Sequence, residues 1–243
     1  MSRLRSVQLF FDKLSYLDDS LHRIRVRRKI VNEFTNGLNI KSVLDIGCGD
    51  GSLSLVLHNS VNQITFNDLS EKMLKVAENN SIKASKRVAF DFILGDIQSH
   101  DFKNQKFDLI ICVGVLAHVS SPFDLLEKIK SLCSDGGYLI IETTYDPYPI
   151  GRILKNFLSF DSERKLDSNY ASYSKNRIKE SDLISFLSSK DITLINRANY
   201  SIPFPGLSKL PQWLRYYYTF LTWKIRLLSK YGSEFIGLFK LKE

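Results

Sequence analysis

The chain is poor in the residues that build stapled folds. Its three cysteines, Cys48, Cys112 and Cys133, lie in or beside apolar segments without CxxC or Cys/His ligand spacing. That argues against a disulfide framework or structural zinc and makes a reducing, cytoplasmic setting the default expectation. Six prolines and twelve glycines in 243 residues are too few for a collagen-like or linker-dominated architecture, and nothing repeats at a fixed solenoid period. No apolar run reaches the roughly 18 residues of a transmembrane helix. The opening MSRLRSVQLFFDKLSYLDDS is interrupted by Asp12, Lys13, Asp18 and Asp19 where a secretory core would be continuous, so export is not expected.

Acidic residues are scarce at both ends. Residues 1–34 hold eight Lys/Arg against four Asp/Glu, and residues 209–243 hold seven against two, so a net charge of +8 sits on a near-neutral body with basic ends. Such ends suit a nucleic acid, an anionic substrate or a membrane surface, but a solvated basic surface is the simpler reading. With 44% hydrophobic and 25% charged residues, the chain can close a sizeable core as one domain with additions.

Along the chain, short apolar runs alternate with longer amphipathic stretches. A leading helix is expected over 18–34, capped by Asp18 or Asp19, within an N-terminal helical extension of residues 1–38. Strands follow at 41–46, 63–67, 88–94, 107–113 and 138–143, the last after a Gly136-Gly137 turn. Helices are expected at 53–58, at 70–81 with Ser70 as cap and Met73, Leu74 and Ala77 on one face, and at 122–133. This alternation predicts an α/β fold with a mostly parallel sheet and helices on both faces. Beyond Glu142 the rhythm loosens: a short helix at 152–160, a polar loop at 161–175, a helix at 180–188 and strands at 193–202 and 234–241.

The sharpest local signal is Val43-Leu44-Asp45-Ile46-Gly47-Cys48-Gly49-Asp50-Gly51. A buried strand feeding GxGxG turns sharply and lets a ligand approach where a Cβ would block it, beside the next helix N-terminus. Asp68 ends the second strand about twenty residues on, where a carboxylate can receive both ribose hydroxyls. Asp45 precedes the loop, placed to orient it and to meet a ligand amino group, and Asp96 closes the third strand within reach of an adenine amine. Each could instead be a turn or cap residue; three carboxylates at one sheet edge are harder to dismiss together.

The segment 42–143 resembles the class I S-adenosylmethionine-dependent methyltransferases. VLDIGCGDG is similar to that family's first motif, ITFNDLSEKMLKVAENN to its second strand and helix, ILGDI to its adenine-contacting segment, and FDLIICVGVLAHVSSPFDLLEKIKSLCSDGGYLIIE to its fourth and fifth strands. The resemblance implies a Rossmann-like seven-stranded sheet with an antiparallel last strand, and S-adenosyl-L-methionine as the cofactor. It implies that Asp45, Gly47, Cys48 and Gly49 hold the methionyl part, Asp68 the ribose, and Leu69, Asp96 and Ile97 the base, with Met73 and Val113 completing the cofactor set. It also makes 191–202 and 234–241 an antiparallel final pair, so that residues 203–231 become an aromatic, basic insertion.

For chemistry, His118 in the loop after the fourth strand is the candidate catalytic base, with a structural or substrate-orienting role as the alternative. Ala117, where metal-assisted relatives carry a carboxylate, weakens a metal reading, and none is expected. His22, Tyr145 and Asp146 are candidate substrate contacts, with Glu142 at the same strand end. The stretch Cys112-Val113-Gly114-Val115 lacks the signature of base-amine methylation, so nucleic acid is disfavoured as a partner. The expected acceptor is a small molecule, through a hydroxyl of a sugar, polyketide, quinone precursor or lipid-linked intermediate. The alternatives are small-molecule N-methylation and a cofactor-binding module without turnover. The insertion can be an amphipathic cap, a lid, an interfacial membrane helix or a dimer surface, which leaves peripheral membrane contact and homo-oligomerisation open.

Overall fold

The β-strands of the first half are runs of five or six residues, too short and too rich in Val, Ile, Leu and Phe for surface helices; three of the four are buried from both sides, and the third, at the sheet edge, is largely exposed. In the computed structural model, which describes residues 3–13, 17–18, 20–84, 87–145, 175–202 and 207–243, they are β1 Ser42–Ile46, β2 Gln63–Asp68, β3 Ala89–Leu94 and β4 Phe107–Cys112. The longer β5 Cys133–Thr144, β6 Ile192–Tyr200 and β7 Glu234–Leu241 complete a seven-stranded sheet in the order β3-β2-β1-β4-β5-β7-β6. The first five strands pair in parallel, and β7 runs antiparallel to both β5 and β6. This is the expected mixed sheet. Its order reverses beside β1, which opens a crevice at the carboxyl ends of β1 and β4 where open α/β sheets bind ligands.

Alternate residues of each strand feed two cores. On one face Val43, Ile64, Phe66, Leu109 and Ile111 meet Val26, Ile30 and Val31 of α2 (Leu21–Thr35) and Leu74 and Ala77 of α3 (Glu71–Ala84). On the other, Leu44, Ile46, Ile110, Leu139 and Phe239 meet Leu125, Leu126 and Ile129 of α4 (Pro122–Leu132) and Leu183 and Leu187 of α5 (Glu180–Ser188). Burying each such side chain contributes about 1.5–3 kcal/mol. Ahead of these elements lies α1 (Arg3–Phe11), and between β6 and β7 lies α6 (Gln212–Lys224), whose Tyr216, Phe220 and Trp223 pack on the α2 side.

Three local expectations are corrected. The N-cap of α2 is Ser20, not Asp18 or Asp19, and its hydroxyl accepts from the Arg23 guanidinium at 3.2 Å rather than from a helix N–H. The helix expected at 53–58 is a single 3-10 turn, Ser54–Leu57. Gly136-Gly137 is not a turn before the strand but a bulge inside it: pairing jumps from Phe107 opposite Cys133 to Leu109 opposite Tyr138, with Gly136 at φ +68° taking up the slack. Ser70 does cap α3, accepting from the Met73 N–H at 3.2 Å. The helix expected at 152–160, most of the loop at 161–175, and Asp146 lie outside the described residues.

Candidate active site

The glycines after β1 have distinct jobs. Gly47, Gly49 and Gly51 have φ of +64°, +54° and +73°, a region that costs an L side chain about 1–2 kcal/mol. A Cβ at Gly47 would collide with the Val115 side chain, and one at Gly51 would come within 3.0 Å of Phe66 and 3.2 Å of Ala77. At Gly49 a Cβ would meet nothing within 4 Å. The outer two glycines let the loop pack, while the middle one leaves bare backbone facing open space. Cys48 fixes the turn from behind: its main-chain N–H donates to Asn67 O at 2.9 Å, and its side chain is buried.

The carboxylates tie strand ends to this loop. Asp68 accepts from the Gly49 N–H and the Ser70 N–H, each at 2.9 Å, and each oxygen retains a lone pair for a hydroxyl donor. Burial raises its pKa, against the pull of these N–H groups. Asp45 is 1% exposed and accepts from Ser54 Oγ at 2.6 Å. Burial above all, with the charges of Asp50 and Asp68, raises its pKa to about 7 despite the Ser54 bond. A buried carboxyl so poised is returned to its charged form by a cation placed beside it. Asp96 accepts from the Gln98 N–H at 3.0 Å, which orders its turn. Asn67, which sequence reasoning missed, donates to Ile93 O at 3.0 Å and Gly95 O at 2.9 Å and so locks the ends of β2 and β3 together. Met73, Ile97 and Val113, expected around the cofactor, are buried.

Over this edge lies α1. It borders an open cleft of about 430 Å³ lined by Leu4, Arg5, Gln8, Leu9, Asp12 and Leu69. Asp12 accepts from Ser70 Oγ at 2.6 Å at one end, and at the other Arg3 donates to His118 O at 2.9 Å. The helix is thus a strap from the end of β2 to the loop after β4.

That loop carries His118, which Phe11 meets edge-on at 5.3 Å between ring centroids. Asn176, another residue missed in the sequence, also holds this loop: it donates through its side chain to Leu116 O at 3.1 Å and Val119 O at 2.6 Å, and through its main chain to Ala117 O at 2.9 Å. Burial, then the positive charges of Lys175, Arg27 and Arg3, lowers the His118 pKa to about 3. The ring is therefore neutral at physiological pH and weakly basic, better suited to accepting a hydrogen bond than to removing a proton.

Behind Gly114 is a buried ionic cluster. Arg27 of α2 donates to Glu142 at 2.9 and 2.6 Å and to Glu234 at 3.3 Å, Tyr200 hydrogen-bonds both Arg27 and Glu142, and Arg23 reaches Glu234 at 3.1 Å. A Cβ on Gly114 would lie 3.6 Å from the Arg27 guanidinium and 3.8 Å from the Glu142 carboxylate, so the cluster backs the His118 loop. The signal was present in sequence: Arg27 interrupts the apolar stripe of α2, and Glu142 interrupts an apolar strand.

Two expected substrate contacts point elsewhere. His22 is buried, with Arg215 and Gln212 of α6 among its neighbours, and burial, then Arg23 and Arg215, lowers its pKa to about 4. Tyr145, an odd number of residues from Glu142, packs on the α4–α5 face, where its hydroxyl accepts from Asn199 at 3.2 Å.

Residues 44–141 match a family model described as a methyltransferase domain. Over this stretch the chain is similar to a methyltransferase domain. The match runs from β1 to β5, the stretch that carries the glycine loop, Asp68 and His118. Over 124 residues the chain is 32% identical to the ubiquinone biosynthesis O-methyltransferase of Idiomarina loihiensis, covering 51% of each protein. The enzyme of that description from Vibrio cholerae is 29% identical over 140 residues, 57% of this chain and 54% of its own. The chain thus spans about half the length of the curated relatives it matches. Among solved structures, magnesium protoporphyrin IX methyltransferase from Synechocystis PCC 6803 with bound SAH superimposes with a TM-score of 0.65 at 16% identity, over 99% of this chain and 100% of that one. A Thermotoga maritima S-adenosylmethionine-dependent methyltransferase, described as a possible histamine N-methyltransferase, gives 0.64 at 14% identity over 100% of both. At these identities the likeness is one of fold, and it extends the methyltransferase architecture through β6 and β7.

Proposed function

We propose that the chain transfers the methyl group of S-adenosylmethionine to an oxygen of a small molecule. The observation that carries this reading is the cradle at the ends of β1 and β2, where Gly49 faces open space while Asp68 holds its N–H at 2.9 Å. The residues fit the cofactor: Asp68 has lone pairs for ribose hydroxyls, Asp45 a carboxyl that a cationic amino group would ionise, and Leu69, Asp96 and Ile97 frame a place for the base. When bound, S-adenosylmethionine supplies an electrophilic methyl group on a sulfonium. The chain then has to orient the acceptor and exclude water, work for which the α1 strap and the doubly held His118 loop are placed.

The weak basicity of His118 favours an acceptor that ionises on its own. A phenolic or enolic hydroxyl, as in a quinone precursor or polyketide, fits better than a sugar hydroxyl, and likeness to the ubiquinone biosynthesis O-methyltransferases supports the same class. The same neutral ring also suits an amine acceptor, which needs no base, and this keeps N-methylation as the second reading. Calorimetric titration with S-adenosylmethionine, with NAD(H) as control, tests the donor site: micromolar binding is expected, weakened about tenfold or more by Asp68→Ala through loss of charge-assisted hydrogen bonds. A folded chain that does not bind, or that prefers NAD(H), sinks the reading. S-adenosylhomocysteine release across a panel of phenols, sugars and amines then identifies the acceptor; binding with no release from any of them would favour the module without turnover.

A further inference from the structure

The segment between β6 and β7 presents an apolar stripe to solvent. Trp213, Tyr217 and Leu221 recur at four-residue spacing along α6 and are 58%, 57% and 49% exposed; just past the helix end, Ile225 in extended backbone and Leu227 in the short helix Arg226–Ser229 are 43% and 67% exposed. The opposite side of α6 is fastened to the body. Thr219 and Thr222 are buried, Thr222 Oγ1 accepts from the Ser201 N–H at 3.1 Å, and Lys29 of α2 lies 4.8 Å from the Phe220 ring centroid. The stripe is therefore the outward face of a docked helix, and an exposed run of large apolar side chains on such a helix marks an interaction surface.

Its charge says what kind. Residues 207–231 contain five Lys/Arg and no Asp or Glu. Lys209, Lys224, Arg226 and Lys230 are exposed around the stripe, and Arg25, Arg28 and Lys29 are exposed on the neighbouring α2. Lys224 is paired with Glu33 at 2.6 Å. A second copy of the chain would bring cations onto cations. Single-stranded RNA would use the aromatic rings but not Leu221, Ile225 and Leu227. At 13 residues α6 is about 20 Å long, and among the described residues no helix is long and apolar enough to cross a membrane. A short helix with Trp, Tyr and Leu on one face and Lys/Arg beside them lies in the plane of a lipid interface.

We propose that the outward face of α6, Trp213, Tyr217 and Leu221, with Ile225 and Leu227 just beyond it and the flanking lysines and arginines, docks the chain on an anionic membrane surface. The aromatic and aliphatic side chains enter the headgroup boundary, and the cations meet lipid phosphates. The start of α6 touches the chain between α1 and α2, with Gln212 donating to Asp18 O at 2.7 Å, so the docked face lies next to the segment that continues into the strap.

The test uses the full chain and vesicles of phosphatidylcholine, alone or with about one third phosphatidylglycerol, followed by flotation and by quenching of tryptophan emission with lipids brominated near the headgroup. Binding to the anionic vesicles with quenching is expected. It should weaken about tenfold or more both in Trp213→Ser/Tyr217→Ser/Leu221→Ser and in Arg226→Glu/Lys230→Glu. These side chains are exposed, so both variants should keep the melting temperature, and S-adenosylmethionine binding read on the same samples keeps this result separate from the donor reading. Four results would overturn the proposal: no binding by folded protein, binding that the apolar variant leaves unchanged, self-association lost in that variant without vesicle binding, or retention on single-stranded RNA without vesicle binding.

Discussion

The two halves of the crevice are built by different means. The half proposed for the donor, the ends of β1, β2 and β3, is held largely by backbone: three positive-φ glycines, main-chain N–H groups on Asp68, and Asn67 on two carbonyls. Its parts come from the GxGxG segment and from the ends of β2 and β3, each bonded to a partner no more than 28 residues away. The half proposed for the acceptor is held by side chains that meet across the whole chain: Arg27 from α2, Glu142 from β5, Tyr200 from β6 and Glu234 from β7 form one buried cluster, and Arg3 and Asn176 both hold the carbonyls of the His118 loop. A backbone cradle tolerates change in everything but its glycines and carboxylates. A buried ionic cluster fails when any single member is removed, yet as a set it can be replaced.

The largest effect should come from breaking the acceptor half. Arg27 is 7% exposed and pairs with two carboxylates. Arg27→Met leaves Glu142 and Glu234 buried with one cation, Arg23, between them. A loss of about 3–5 kcal/mol of folding stability is expected by urea denaturation. The double variant Arg27→Met/Glu142→Gln should recover part of that loss, because it removes one of the stranded charges. If the single variant is as stable as the parent, the cluster is not what holds α2 to the sheet.

These two modes of construction also explain what the sequence could tell. The glycine loop, the carboxylates that close β2 and β3 and most of the alternating elements from β1 to β5 are local patterns that were legible in the sequence, the Ser70 cap included, but not the 3-10 turn at 54–57 or the early start of β5; the family match over 44–141 covers the same stretch. The acceptor half was legible only in pieces. Arg27 breaks an apolar stripe but does so as one of several arginines in a basic helix, Tyr200 reads as a strand aromatic, and Asn176 falls just past the loop expected at 161–175, because what gives each its role is a partner more than fifty residues away. Long-range packing also decides where two other residues end up: His22, expected among the substrate contacts by residue type, sits on the buried side of α2 facing α6, and Gly136-Gly137 looked like a turn, but pairing with β4 absorbed it as a bulge.

A smaller effect should appear on breaking the donor half at Gly49. Its φ of +54° costs alanine about 1–2 kcal/mol, and no neighbour resists the added methyl group. Gly49→Ala should therefore remain folded with a modest loss in denaturation, while its Cβ enters the open space in front of the loop. S-adenosylmethionine affinity should fall by about 10- to 100-fold, as expected for overpacking a fitted site. Affinity unchanged in a folded Gly49→Ala protein would mean that the donor does not lie against this glycine.

The smallest effect sharpens the comparison within the donor half by separating the fold from ligand binding. Burial holds the Asp45 pKa near 7, above its ordinary value, so between about pH 4 and pH 7 the folded state binds a proton that the unfolded chain releases. The stability this contributes is complete at low pH and is lost as pH rises through about 7, so the unliganded protein should melt earlier at pH 8 than at pH 6. Ligand binding should run the other way. A cationic amino group beside Asp45 favours the charged carboxylate, so binding below about pH 7 expels a proton, and affinity should rise by about tenfold from pH 6 to pH 7.5. It should fall again above about pH 8, where an α-amino group loses its own charge. Calorimetry at pH 6.5 in two buffers of different ionisation enthalpy reads the expelled proton directly. Asp45→Asn should abolish the release, flatten the melting profile and weaken binding. Equal heats in the two buffers would show that Asp45 stays protonated in the complex, and its place would then be structural, under Ser54, with the amino group held elsewhere in the loop.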